Sequence, residues 1–349
     1  MLVDTSTIPG FPARVVVPID WHEPVNEQYG AAYNQQNKEQ DPLWKDILPR
    51  WPESADGKYL WKCDTSSDEL AGHFFFYGIY YDLVAHTEDE KEEVRTVVRK
   101  VADHLVANGF RLIDHDGKPT RWANFSPDHL NSMDAWEERG LNSMMILSIL
   151  KVAEHVTGDA KYGRWAQHLR DEHDYHVNAL LGRSFFPPDS VVPWDDLLAF
   201  VSYYGLLKYE TDPQLLAFYR TSVATAWQFI SKHKHPLLNT IYASVFPDRT
   251  GKAIPHAVET LRDVPLELMG WPIQNTHRLD VVLDPTPGQV ATIGWSVTGY
   301  PLPINERSHV RLDRSSVALD TVEGAGHDEH EGTIFLLPYY MARYHGFIR

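Results

Sequence analysis

Five short runs of the chain combine side chains that move protons with side chains that orient a substrate. They are Asp64-Thr-Ser-Ser-Asp-Glu69 followed by His73, Trp136-Glu-Glu-Arg139 followed by Asn142, Trp194-Asp-Asp196, Asn305-Glu-Arg307, and His327-Asp-Glu-His-Glu331. Carboxyl groups in unlike surroundings have their pKa values driven apart, as hydrolysis of a glycosidic bond by an acid and a base or nucleophile requires. Asp68, Glu69, Glu138 and Glu306 are the candidates for that work. His73 lies one helical turn after Glu69, on the same face, and is a candidate proton carrier. The same runs also suit β-elimination at a uronate, which needs a base and donors that neutralise the sugar carboxylate. His73 would be the base, with Arg121, Arg139, Asn142 and Arg307 around the carboxylate. Trp122, Trp136 and Trp194 offer flat apolar faces of the kind that stack on sugar rings. Asp195 and His330 offer hydrogen bonds to hydroxyls.

Each run also has a structural use. Hydroxyls ahead of a helix cap it, which is the expected role of Thr65, Ser66 and Ser67. Carboxylates in a first turn face the helix dipole, which would explain Glu137 and Asp196 without chemistry. A lone histidine in an apolar helix often belongs to the core, so both readings stand for His73. The His327-x-x-His330 spacing matches no strong metal motif, and loop hydrogen bonding is its expected role. Neither a metal nor an organic cofactor is expected.

What joins the runs is position. Each precedes, or opens, a helix read as buried. The run at 64–69 leads into LAGHFFFYGIYYDLVA, and the helix after it, EKEEVRTVVRKVADHLVANG, is amphipathic and ends at Gly109. The plan recurs from Gly140 and again from Pro193, with helix units starting near 68, 142 and 195. GTIFLLPYYMARYHGF adds one more buried helix. Alternating inner and outer helices with short turns predict an all-α fold, an (α/α) toroid of six-hairpin type, complete or incomplete. Inner helices running the same way would bring all five runs to one cleft, where exposed amides favour bound oxygens. The proline-rich residues 1–60 are expected to form an irregular arm, with short helices near 26–38 and 42–48. Residues 61–349 are expected to form one catalytic domain. It would include a helix near 256–269 and short strands within VVLDPTPGQVATIGWSV. Arg121-Trp-Ala-Asn-Phe-Ser-Pro127 has no periodicity and is read as a loop forming a cleft wall.

Composition narrows the class. Over 349 residues, 43% are hydrophobic and 23% charged, the balance of a folded globular chain. No stretch reaches membrane-spanning length. The N-terminus lacks a basic region followed by an apolar run, so no signal peptide is expected, and a cytoplasmic location follows if the chain is complete. A net charge of -16 argues against nucleic acid as a partner. Cys63 stands alone, which rules out an internal disulfide. The oligomeric state is not legible.

DTSSDELAGHFF, the RW-x-x-x-SP-x-x-LN pattern from Arg121 to Asn131, WEERGLNS from Trp136 to Ser143, and DEHEGTIFLLPYYMARYHG together resemble a bacterial family of carbohydrate-utilisation proteins. More loosely, the helical plan is similar to the toroids of glycoside hydrolases and polysaccharide lyases. These resemblances imply a saccharide partner. The excess of acids in the runs puts a glycoside hydrolase first, a polysaccharide lyase second and a non-catalytic saccharide-binding protein third.

Overall fold

The computed structural model describes residues 1–183, 190–274, 295–296, 301–307, 310–314, 316 and 325–349. The fold class is all-α, with helices joined by short turns and three two-stranded ribbons among the described residues. Contacts divide the chain into two compact units. One comprises Met1–Val177 with Lys208–Glu210, the other Asn178–Leu207 with Thr211–Arg349. Residues 1–60 are therefore part of the first unit, and the span 61–349 is divided between both.

In the first unit, the helix Arg139–Thr157 is buried along most of its length, from Gly140 through Val156. It packs against Ser67–Leu83, Glu88–Ala107 and Ala160–His173. Its apolar surface has few polar interruptions, so a single wet face would waste most of the burial that stabilises it. Glu88–Ala107 instead buries one stripe, including Val94, Val98, Val101 and Leu105, beneath a charged face. Capping boxes at Ser66 and Thr87 start the helices on either side of the first turn. Gly158 ends the buried helix at φ 68°, a left-handed position where a side chain would be strained. At Gly78 a Cβ would meet the Tyr209 hydroxyl at 2.7 Å, so the absence of a side chain lets the segment Lys208–Glu210 close on this unit.

The N-terminal residues are more ordered than proline content alone suggests. Val16–Pro18 pairs antiparallel with Tyr59–Trp61, Val16 opposite Trp61. Phe11 and Trp61 are fully buried, with ring centroids 5.7 Å apart. The first expected helix occurs as two, Val25–Gln28 and Ala31–Gln40. No helix forms over 42–48. There the Asp41 side chain accepts from the Leu43 amide at 2.9 Å and its carbonyl from the Trp44 amide, so the chain turns locally instead. The run 121–127 is also different from the expected loop. Pro119–Asn124 is a strand paired with Arg111–Ile113. Its alternation is short: Thr120 and Ala123 face in, while Arg121 and Trp122 between them stay at least partly open.

In the second unit, Pro193–Tyr209, up to Leu207, is the buried helix and Pro213–Ile230 the amphipathic one. Asp212 caps the latter through the amides of Gln214 and Leu215, with proline at its first position. Pro236–Val245 packs against Thr250–Asp263 and Thr333–Tyr344. The helix expected near 256–269 thus begins and ends earlier, and the C-terminal helix lies where its apolar pattern put it but buries only Ile334, Pro338, Met341 and Ala342, leaving Leu336 and Tyr340 exposed. Trp295–Ser296 pairs with Ser190–Val191, a fragment of the expected strands. Residues 281–294 lie outside the described residues. No helix among the described residues is long and apolar enough to cross a membrane.

Candidate functional site

The first unit contains a recess of about 220 Å³ built largely by the N-terminal residues. Its walls carry Arg14, Lys45, Arg50, Lys62 and Arg121 against Asp41 and Asp64, with Tyr29, Tyr33, Trp44 and Trp122 between them. Most of these cations have carboxylate partners. Arg14 Nε donates to Glu69 Oε1 at 2.9 Å, Lys45 Nζ lies 3.0 Å from Asp116 and 3.4 Å from Asp114, and Arg121 Nη2 donates to Glu138 Oε1 at 3.1 Å. Arg50 Nη1 lies 3.6 Å from Asp64 Oδ2. Lys62 forms no ion pair among the described residues; its ammonium lies 5.8 Å from the Tyr29 ring centre and 5.9 Å from that of Trp51. Burial pushes its pKa down, and the charges of Arg14 and Arg50 push further. Arg121 stacks over Trp122 at 3.9 Å, and Arg50 over Trp44 at 4.1 Å. Cation–π contacts of this kind fix both groups as one wall.

Asp64 ties the recess together. It is a non-glycine residue at φ 55°, a costly conformation that surrounding contacts must hold. Its amide donates to Asp114 at 2.8 Å, its carboxylate accepts from the Arg121 amide at 3.3 Å, and its carbonyl accepts from Arg14 at 3.4 Å. Burial raises its pKa against the pull of the Arg121 amide and the charges of Arg50 and Lys45.

The first two polar runs are linked through these contacts. Glu69, Arg14, Asp64, Arg121, Glu138 and Asn142 form a continuous chain of hydrogen bonds, with Asn142 Nδ2 donating to Glu138 Oε2 at 3.3 Å. Glu138 is the residue ahead of the buried helix but makes no capping bond; its carboxylate faces Arg121, Asn142 and, at 3.6 Å, His129 Nε2. Trp122 and Trp136 are 36% and 47% exposed, as stacking platforms need to be. Asp68 is open to solvent and has no ion pair among the described residues, yet enough protein surrounds it that lost hydration raises its pKa, with Glu69 adding to the rise.

Other candidates have structural partners. Glu69 has both oxygens engaged, one by Arg14 and one by the Ser66 amide at 2.6 Å, so it is a cap and an anchor. Of the expected caps, Ser66 acts as one, whereas the Thr65 hydroxyl donates to the Pro12 carbonyl. His73 Nδ1 lies 3.1 Å from the Tyr77 hydroxyl with the rings stacked, and burial lowers its pKa. Arg139 donates to the carbonyls of Leu130 and Ser132 and so pins a turn. Burial, then Glu138, raises the pKa of Glu137.

The remaining candidates belong to the second unit. Trp194 is partly exposed and Asp195 half-buried at the start of Pro193–Tyr209. Asp196 next to them is buried and bound by Arg183 Nε at 2.5 Å, a pair the sequence did not suggest. Glu306 ends a short 3-10 turn, and Arg307 donates twice to the Leu302 carbonyl. His330 is held through its amide to the Leu268 carbonyl, ahead of the C-terminal helix, and His327 is exposed.

One cluster has metal-ligand composition among the described residues, Cys63 with Asp114 and His115. Burial pushes the Cys63 thiol up to about 12, so it keeps its proton, and Asp114 already serves Lys45 and the Asp64 amide. The recess residues Arg14, Tyr29, Tyr33, Trp44, Lys45, Arg50 and Lys62 were not anticipated. The available signal was the mixture of aromatic and basic residues within a segment that prolines made look like a simple arm. Comparisons with protein-family models, curated proteins and solved structures find no match for this chain.

Proposed function

We propose that this chain is a carbohydrate-active enzyme, on the (α/α) toroid plan, whose substrate is an acidic saccharide bound in the first-unit recess. The observation that carries this reading is a cationic, aromatic-walled recess in a chain of net charge -16. A surface this acidic repels anions at long range, so a local concentration of arginine and lysine has a local purpose. Lys62 supplies a counter-charge for a sugar carboxylate, Arg121 and Trp122 a combined polar and stacking wall, and Asp64 an acceptor for hydroxyls. The volume suits a single sugar residue.

β-Elimination is the reaction the recess favours. The cations stabilise the charge that develops when the proton beside the sugar carboxylate is removed. Tyr29 and Tyr33, which line the same walls, are the groups to pass protons there. The C4–oxygen bond then breaks, the leaving oxygen takes a proton, and a C4–C5 double bond remains. Hydrolysis is the second reading, favoured by Asp68, whose raised carboxyl beside the hydrogen-bonded chain suits a general acid, with Glu138 as the second carboxylate.

Incubation with a panel of polyuronates and neutral glycans decides the matter. Elimination produces the ultraviolet absorbance of a conjugated unsaturated uronate. Hydrolysis produces reducing ends without it. Binding seen by tryptophan fluorescence with neither product leaves a saccharide-binding protein. Binding of neutral glycans only would overturn the acidic-saccharide reading.

A further inference from the structure

The second unit contains a separate cavity of about 30 Å³, bordered by Arg307, Arg311, Arg314, His233, His235 and Ser316, with the carboxylate Asp196 also on its wall, over apolar side chains such as Ile334. Two of its polar side chains each keep one nitrogen unpaired among the described residues. His233 is 6% exposed, its Nδ1 lies 3.1 Å from the Ser316 hydroxyl, and its Nε2, sealed from solvent, makes no hydrogen bond among the described residues. Arg307 gives Nε and Nη2 to the one carbonyl of Leu302, at 3.0 and 2.8 Å, which leaves Nη1 without an acceptor among the described residues. No carboxylate pairs with it there. Solvent still reaches part of Arg307, but burial alone lowers its pKa to about 10.

Native proteins rarely leave a buried donor or a desolvated cation unmatched, because neither recovers the hydration it loses. Among the described residues the nearby acids do not supply the match. Asp196 is held by Arg183 at 2.5 Å, and Asp313 by Arg311 at 2.9 Å. Arg307 and Arg314 are the surplus. His233, whose burial holds it neutral, shares one hydrogen bond between Nδ1 and the Ser316 hydroxyl, and in the tautomer in which Nδ1 accepts, Nε2 is the donor offered to a bound anion. The cavity exceeds the roughly 10–15 Å³ that one water requires, so it has room for the oxygens of a small anionic group.

We propose that this cavity binds an oxyanion, the phosphate or carboxylate group of a small ligand, through Arg307 and His233 within and Arg314 at the rim. Planar guanidinium donors match both groups. The site is separate from the recess of the first unit, and its ligand need not be the substrate.

Calorimetric titration of the full chain with inorganic phosphate, and separately with acetate, tests this at constant ionic strength in chloride. Saturable binding of at least one anion is expected. Arg307→Gln and Arg314→Ser should each weaken it about tenfold, the usual effect of losing a hydrogen bond to a charged group. Binding of phosphate without acetate assigns a phosphate group, and the reverse a carboxylate. Arg314 is exposed, so Arg314→Ser keeps the test decisive if Arg307→Gln fails to fold. Flat titrations of the wild-type chain overturn the proposal. So does uptake that never saturates, or that both variants share unchanged.

Discussion

Lys62 and Glu138 carry opposite expectations. A lysine whose folded pKa lies below its ordinary value opposes folding wherever the unfolded residue holds its proton, and the cause here is burial beside Arg14 and Arg50. Lys62→Met should therefore keep or raise the melting temperature at neutral pH. Affinity for an acidic saccharide should fall about tenfold, with neutral glycans unaffected. A fall in melting temperature with unchanged affinity would make Lys62 a structural residue. Glu138 is part of a half-buried network, and exposed or partly exposed pairs contribute roughly 0–1 kcal/mol. Glu138→Gln should change the melting temperature little and lower turnover by at least about 10²-fold if the carboxylate transfers a proton. A shift confined to KM would instead assign it to holding Arg121. Trp122→Ala and Trp136→Ala should weaken saccharide binding without loss of fold, since both rings are partly exposed.

Among the elements, the helix Ser67–Leu83 shows how a polar run is divided between structure and chemistry. Its capping box satisfies amides at the helix start, and its Glu69 reaches on to Arg14. Ser66→Ala is expected to cost about 1 kcal/mol, read as a lower melting temperature with unchanged turnover per folded molecule. Loss of turnover beyond the unfolded fraction would mean that the cap positions the recess through Arg14. The buried helix Arg139–Thr157 is the other fixed point. Leu147 is fully buried in it, and Leu147→Ala should cost roughly 2–5 kcal/mol in a denaturant titration.

For the whole molecule, the response to pH is led by two histidines buried in the second unit, with His73, His104 and His256 shifted the same way by burial. Burial holds His233 near 3 and His235 near 4, from an ordinary value of 6.5. The unfolded chain binds protons in that window that the folded chain refuses. Stability is therefore complete above about pH 6.5 and falls on acidification towards pH 4, before most carboxylates titrate. The slope should reach up to about 1.4 kcal/mol per pH unit for each histidine. His233→Gln should remove about one proton from it in melting curves collected between pH 7 and 4.5. An unchanged slope would mean that these rings are not the source.

Sequence periodicity determined the helices of this protein because a helix that is apolar all round can only be buried, wherever its neighbours come from. Arg139–Thr157 and Pro193–Tyr209 were legible for that reason, as was the cap at Ser66, whereas Thr333–Tyr344, read as buried, keeps Leu336, Tyr340 and Tyr344 exposed. The link from Asp64 through Arg121 to Glu138 was half legible: the residue types were evident, but not their contacts. Tertiary structure alone decided which carboxylates remained open. Glu69 and Asp68 are adjacent in sequence, yet Arg14, 55 residues away from Glu69, occupies the first and no ion pair among the described residues involves the second. It also decided the recess, whose walls come mainly from proline-rich residues with no periodicity to read. Proline removes the local pattern by which a segment announces its structure, so only long-range packing, such as Phe11 on Trp61, could bring those cations and aromatic rings together.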